Sequence, residues 1–293
     1  MKKQYVFVYG TLRSNLSNHY LLRDAKQVSK QCWTRGVLYD VGCGYPAMAA
    51  HPKNRVYGEL YAVTEKELSQ LDQLEGFHQE NSPYNHYERV QQIVYTDQGS
   101  YKAFTYIYKP ERVNQLKAVL HNDWKYHLLM EQDSLYYFAY GSCMDDNRFK
   151  KHKVDHLFTN VIGKGVLQNY KLAFTRKTSN GSRADVVEGS GVVEGKVYRI
   201  SKEALEYLFD REGVKYNTYR STFVDIQTSS GVLKDVLTYV VIDKQPETAP
   251  PIEYAEEMVR GANGLLSEEY VRKLLEDFTK KFAIDLNGID KTQ

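Results

Sequence analysis

The chain carries only three cysteines in 293 residues, Cys32, Cys43 and Cys143, and none of them falls in a CxxC pair. An odd number without that spacing argues against a disulfide scaffold and against a thiolate zinc site, and it suits a reducing compartment. Excess charge of one sign is missing as well, with 39 Lys and Arg against 37 Asp and Glu, a net of +2. Binding nucleic acid draws on a basic surplus to neutralise phosphates, so no nucleic-acid partner is expected. No apolar run approaches the ~18 residues of a membrane span. The run after the basic start stops at Gly10, which is too short for a signal peptide and reads as a first strand. No Walker loop, dinucleotide GxGxxG or GxSxG motif occurs. The expectation is a soluble, cytoplasmic protein with no membrane partner, its oligomeric state left open.

What is present is a globular composition, 42% hydrophobic and 26% charged, on a chain long enough for two domains. Tyrosine is abundant, 25 residues against 11 Phe and 2 Trp. Its apolar ring and polar tip suit shallow pockets for polar ligands and, equally, half-exposed positions on strands.

The chain also repeats itself. Tyr5-Val6-Phe7-Val8-Tyr9-Gly10-Thr11 returns as Tyr136-Tyr137-Phe138-Ala139-Tyr140-Gly141-Ser142, and Val56-Tyr57-Gly58-Glu59-Leu60-Tyr61 as Val193-Glu194-Gly195-Lys196-Val197-Tyr198. The stretch from Thr64 to Gly76 aligns without a gap to that from Ser201 to Gly213. Two copies of one domain in tandem follow, with the boundary placed at the polar Glu131-Gln132-Asp133-Ser134: domains 1–134 and 135–293.

Each copy opens with a strand ending in Tyr-Gly-Thr or Tyr-Gly-Ser and continues through a second strand to a short helix. In the first helix Thr64 and Glu67 form a capping box, with Leu68, Leu71 and Leu74 as its buried stripe. The second helix has Ser201 as cap and Leu205 and Leu208 facing inward, with Ala204 in place of the box glutamate. Both helices stop at a Glu-Gly step with Gly76 or Gly213 at C′. Strands return at 89–96, 102–108, 221–228 and 232–242. Val113, Leu116, Leu120, Trp124 and Leu128 recur at helical spacing and predict one amphipathic helix over 111–131. A last helix from Ser267 would bury Val271, Leu274, Leu275, Phe278 and Phe282, and 287–293 is expected to fray.

Glu75 and Glu212 each stand at the C-terminal end of a helix, where the macrodipole disfavours a carboxylate. A breach of a local rule that recurs at one place in both copies marks a functional site. The dipole and any desolvation would raise the pKa and poise the group as a proton shuttle; a solvated Glu beside a helix-stopping Gly is the plainer reading. Backbone N–H groups of the Tyr-Gly-Thr and Tyr-Gly-Ser turns, with the hydroxyls of Thr11 and Ser142, can bind a carboxylate or a developing oxyanion. His152 and His156 sit four apart but lack a carboxylate partner and read as part of a basic face among Lys150, Lys151 and Lys153. Cys143 has no evident base and reads as a small residue rather than a nucleophile.

These features resemble the gamma-glutamylcyclotransferase superfamily over nearly the whole chain. The first copy is similar to the gamma-glutamylamine cyclotransferase and AIG2-like branch through Val8-Tyr9-Gly10-Thr11-Leu12, Asn18-His19, Gly44-Tyr45-Pro46-Ala47, the Gly58 strand, Leu71-Asp72-Gln73-Leu74-Glu75-Gly76 and Tyr87-Glu88-Arg89. The second resembles gamma-glutamylcyclotransferase itself. It does so through Phe138-Ala139-Tyr140-Gly141-Ser142, Arg211-Glu212-Gly213-Val214 with Tyr219, Tyr239, Ala249-Pro250-Pro251 with Tyr254, and Gly261-Ala262-Asn263-Gly264-Leu265.

The resemblance implies an α+β fold, each domain a curved, barrel-like mixed sheet with helices packed outside. It implies a cofactor-free reaction, with no metal, in which the α-amine of a gamma-glutamyl substrate attacks its own gamma-carbonyl. That attack gives 5-oxoproline and releases an amine or amino acid, as in glutathione metabolism. Glu75 and Glu212 would be the general acid/base. Tyr9, Gly10, Thr11, Leu12 and Tyr87 would bind substrate in one copy, and Tyr140, Gly141, Ser142, Cys143, Tyr219 and Tyr239 in the other. The second copy departs from the family at Cys143, where asparagine is usual; a thiol hydrogen-bonds poorly in place of an amide. Twelve residues separate Glu75 from Tyr87 but seven separate Glu212 from Tyr219, so the two pockets are expected to prefer different leaving groups. The other readings are a gamma-glutamyl or amino-acid binding protein with one or both sites inactive, or a chain in which one copy only docks or stabilises. The leaving group itself stays open.

Overall fold

A computed structural model describes residues 3–286, and the expected fraying of 287–293 lies outside them. The chain divides into two compact units, Met1–Glu131 and Gln132–Gln293.

In the first unit, β1 (Gln4–Val8), β2 (Lys26–Arg35), β5 (Arg55–Val63), β6 (Glu88–Thr96) and β7 (Gly99–Ile107) close a barrel in the order β1-β5-β2-β6-β7. β1 pairs antiparallel with β5 and parallel with β7, so the sheet is mixed. The hairpin of β3 (Val37–Asp40) and β4 (Pro46–Ala49) forms a small sheet with β8 (Lys117–Ala118). Helix α1 (Glu65–Leu74) packs outside, and α2 (Trp124–Leu129) ends the unit.

β1 reads as an unbroken apolar run because both of its faces are buried. Val6 and Val8 enter one core with Leu68 and Leu71 of α1. Phe7 and Tyr9 enter another, where all five barrel strands meet through Phe7, Cys32, Leu60, Val94 and Ala103.

The second unit repeats this circuit. The barrel β10-β11-β9-β13-β12 is built from β9 (Ser134–Ala139), β10 (Val161–Thr178), β11 (Gly181–Ser201), β12 (Tyr219–Thr228) and β13 (Gly231–Val241). β9 takes the place of β1, antiparallel to β11 and parallel to β13. Helix α4 (Lys202–Arg211) corresponds to α1; α3 (Asp146–Lys151), α5 (Ile252–Ala262) and α6 (Glu268–Phe282) are added.

Glycine explains one of the repeated motifs. A Cβ on Gly58 would stand 2.3 Å from the Val8 carbonyl oxygen, and one on Gly195 would stand 2.3 Å from that of Ala139. Only a residue without a side chain lets these strands approach the opening strand of each barrel.

The capping box of α1 forms as expected: Thr64 Oγ1 accepts from the Glu67 amide while the Glu67 carboxylate accepts from the Thr64 amide. Leu68 and Leu71 are buried, but Leu74, expected in the same stripe, is 39% exposed and borders a cavity instead. In α4, Ser201 caps and Leu205 and Leu208 are buried. Leu274 and Phe278 of α6 are buried, with Val271, Leu275 and Phe282 half-buried.

The single helix expected over 111–131 does not form. Lys117 and Ala118 pair with β3 instead, the Val119 amide donates to Leu38 O, and Asn122 Oδ1 accepts from the Leu38 amide. His121 and Asn122 take left-handed backbone angles that no helix accommodates, and Asp123 then caps α2. Leu120 is consequently 63% exposed and Leu128 39%. Pairing with a neighbouring strand outweighs a helical period of apolar residues.

Candidate active sites

Each unit holds one cavity where its opening strand, the turn after it and the end of its helix converge. The first, about 400 Å³, is lined by Tyr9, Gly10, Thr11, Leu12, Tyr45, Pro46, Leu74, Glu75, His86, Tyr87 and Tyr106, among others. The second, about 110 Å³, is lined by Tyr137, Tyr140, Gly141, Ser142, Cys143, Arg148, Arg176, Arg183, Ala184, Arg211, Glu212, Tyr219, Tyr239 and Tyr254. Every site residue expected from the sequence borders one of the two.

The local causes are shared. Glu75 is the C-cap of α1 and Glu212 that of α4, with nearly identical backbone angles, and each is followed by a left-handed glycine. Those glycines reverse the chain, so that the Glu75 carbonyl accepts from the Tyr87 amide while the carboxyl faces the cavity. Tyr9 Oη donates to Tyr106 O at 2.7 Å, and Tyr140 Oη donates to Tyr239 O at 2.5 Å. Tyr87 Oη donates to Pro46 O at 2.9 Å, and Tyr219 Oη to Ala184 O at 2.7 Å. The tyrosines therefore lock the cavity walls through their hydroxyls and present ring surface to a ligand.

Gly10 and Gly141 allow the turns to lie against a wall. A Cβ on Gly10 would meet the Pro46 ring at 2.9 Å, and one on Gly141 would meet Tyr254 Oη at 2.8 Å. The turns are closed by Arg13 N donating to Gly10 O and by Met144 N donating to Gly141 O. Among the described residues, the amides of Thr11, Leu12, Ser142 and Cys143 have no internal acceptor, which leaves them available to a bound oxygen.

The two carboxyls sit in different fields. Burial alone pushes Glu75 up to about 8, since the lining of its cavity contains no lysine or arginine. Burial also raises Glu212, but Arg211, Arg176 and Arg148 oppose it, and so does the hydrogen bond from the Cys143 thiol. Arg211 Nε stands 3.6 Å from Glu212 Oε1 and donates to Cys143 Sγ at 3.1 Å, while its Nη2 donates to Ser142 Oγ at 3.1 Å. Cys143 Sγ donates to Glu212 Oε1 at 3.9 Å. The Cys143 thiol, expected from the sequence to hydrogen-bond poorly, thus joins an Arg–Cys–Glu chain.

Sequence reasoning passed over Arg148, Arg176 and Arg183 as site residues, as well as His86 and Tyr106. Comparing the copies position by position pairs Leu74 with Arg211 at the offset of the two glutamates; Arg183 stands before Ala184 as Tyr45 stands before Pro46, an equivalence that only the tyrosine hydroxyls bonded to Pro46 O and Ala184 O reveal. His152 caps the end of α3, outside both cavities, and no group of three His, Cys, Asp or Glu among the described residues is placed to hold a metal. No helix among them is long and apolar enough to cross a membrane.

Two barrels of one topology, each with a glutamate at the same helix terminus over a Tyr-Gly turn, define the architecture of a gamma-glutamyl cyclotransferase domain in tandem. Residues 6–126 match the family described as gamma-glutamyl cyclotransferase, AIG2-like, and residues 192–274 match the AIG2-like family. YkqA of Bacillus subtilis is 39% identical over 92% of this chain and 95% of its own. Its crystal structure superposes with a TM-score of 0.83, covering 93% of this chain and 96% of that one. Human gamma-glutamylcyclotransferase is 31% identical over 55% of this chain and 90% of its own length. The gamma-L-glutamyl-butirosin B gamma-glutamyl cyclotransferase of Niallia circulans is 30% identical over 44% of this chain and 81% of its own. The chain belongs to the gamma-glutamylcyclotransferase family.

Proposed function

We propose that each cavity cyclises the gamma-glutamyl group of a small substrate, releasing 5-oxoproline and an amine, with Glu75 and Glu212 as the respective acid/base. The observation that carries this reading is the pairing, twice over, of a buried carboxyl of raised pKa with a turn whose amides are uncommitted.

In the reaction the substrate's α-nitrogen bonds to its own gamma-carbonyl carbon, and the amide C–N bond then breaks. The glutamate accepts the proton that the attacking amine must lose and returns it to the departing nitrogen. No water is consumed. A carboxyl held near neutrality by burial suits both steps, and such acid–base help contributes about 10²–10⁴-fold. The turn amides would hold the oxyanion of the tetrahedral intermediate, each donor worth roughly 10²–10³ in rate. Because attack is intramolecular, holding the chain folded back is the larger part, up to about 7–11 kcal/mol. The tyrosine walls and the Pro46 or Ala184 carbonyl edges are suited to that.

A second reading for the second cavity is binding without turnover. It is favoured by Arg211, which stabilises the ionised form of Glu212 and so weakens it as an acid.

The substrate's own amine decides the test. Gamma-glutamyl amines and amino acids should yield 5-oxoproline in stoichiometric amount with the released amine, and their N-acetyl derivatives should yield neither. Comparable amine release from an N-acetyl substrate would instead establish hydrolysis.

A further inference from the structure

The second cavity carries more positive charge than a gamma-glutamyl group can use. Four arginines line it against one carboxylate, Glu212. Arg148 pairs with Glu257, and Arg211 with Glu212. Neither Arg176 nor Arg183 forms a close ion pair with a carboxylate among the described residues, although Arg176 favours the ionised form of Glu212 from beyond ion-pair range. They are nevertheless direct cross-strand partners in the β10–β11 hairpin. Like charges placed opposite one another on one sheet face destabilise it.

What the protein places directly against this pair is neutral rather than anionic. Arg176 lies over the Tyr219 ring at 5.4 Å and Arg183 over the Tyr254 ring at 5.1 Å, and Arg183 donates to Asn180, Thr178 and two hairpin carbonyls. Burial and the nearby Arg176 and Arg148 push the Arg183 guanidinium down from its ordinary value. A bulge between Ala173 and Arg176 shifts the register just before the pair, the device by which strands re-aim side chains toward a site. The first cavity has Tyr45 and Leu74 where the second has Arg183 and Arg211, so the shared chemistry does not require these charges.

A gamma-glutamyl head brings one carboxylate and one ammonium and leaves the balance unchanged. Two positive charges then remain. We propose that the second cavity takes gamma-glutamyl compounds whose departing amine carries two negative charges, as a dicarboxylate or a phosphate, held by Arg176 and Arg183. This specificity rests on the cyclotransferase reading of the site, but the charge preference can be measured with or without turnover.

The test uses the full chain with Glu75→Gln, so that release reports the second cavity. Gamma-glutamyl-glutamate should exceed its isostere gamma-glutamyl-glutamine in kcat/KM by about 10-fold or more, the size of one or two charge-assisted hydrogen bonds. The advantage should shrink with added salt and vanish in Arg176→Gln and Arg183→Gln. Gamma-glutamyl-phosphoethanolamine against gamma-glutamyl-ethanolamine supplies the phosphate arm, and the larger of the two preferences names the anion. Calorimetric binding of the same ligands to the Glu75→Gln/Glu212→Gln protein supplies the readout without turnover. A preference in binding with no 5-oxoproline from the Glu75→Gln protein would retain the charge assignment and end the cyclotransferase reading of the second cavity. Equal affinities and rates for charged and neutral isosteres would overturn the proposal. Because the pair repels, Arg176→Gln should match or raise the Tm of the unliganded protein; a clear fall would make the pair a structural contact and count against it.

Discussion

Glu75 combines a helix terminus, a cavity and a solvent-poor wall in a single residue, and its proton affinity follows from that position. Its ordinary carboxyl pKa of 4.5 rises to about 8 through burial. Between those values the folded protein keeps a proton that the unfolded chain has lost, so stability falls as pH rises. The contribution is complete below the unfolded value and is gone once pH passes through about 8. Glu75→Gln removes the titration. The variant should therefore lose less stability than the parent between about pH 5 and about pH 9, by on the order of a few kcal/mol, since each tenfold gain in proton affinity is worth about 1.4 kcal/mol. Denaturant unfolding at the two pH values checks this, and parallel losses would show that Glu75 is not desolvated. On the proposed reaction, kcat/KM of the first site should rise with pH through about 8, where the carboxylate forms. The corresponding limb of the second site should lie lower, because Arg211, Arg176 and Arg148 favour the ionised form of Glu212.

At the scale of elements, the repeat records backbone constraints more than chemistry. Gly58→Ala and Gly195→Ala should each destabilise their own barrel by about 1–3 kcal/mol or more, because the new Cβ meets a carbonyl oxygen and a phenylalanine ring of the opening strand. Thermal unfolding that showed no loss at either position would contradict the close strand approach. The opening strands, the capped helices and the Glu-Gly stops could be read from the sequence because each rests on a local rule: a short apolar run ended by glycine, an N-cap hydroxyl, a left-handed glycine. The segment 111–131 could not. Its apolar residues keep a period of 3.6, yet hydrogen bonds from Leu38 and pairing with β3 claim that backbone. The arginines of the second cavity escaped for a related reason. Arg176 and Arg183 pair in unbroken register from the turn between Thr178 and Gly181, but what sets them against the cavity is Tyr219 and Tyr254, residues that sequence spacing does not place beside them.

At the scale of the whole molecule, one topology serves two cavities of different character. Each is lined wholly by residues of its own unit and both are rich in tyrosine, but the first has no lysine or arginine while four arginines line the second. Sites with no shared residues should respond to mutation independently. The measurement that bears most directly on the account is 5-oxoproline release from a panel of gamma-glutamyl compounds by four proteins: the parent, Glu75→Gln, Glu212→Gln and the double variant. Glutamine keeps the shape of the side chain and removes the proton acceptor. Each single variant should lose about 10²-fold or more on its own part of the panel and nothing on the rest, and the double variant should lose all release. A double variant with undiminished release would contradict the assignment of both glutamates.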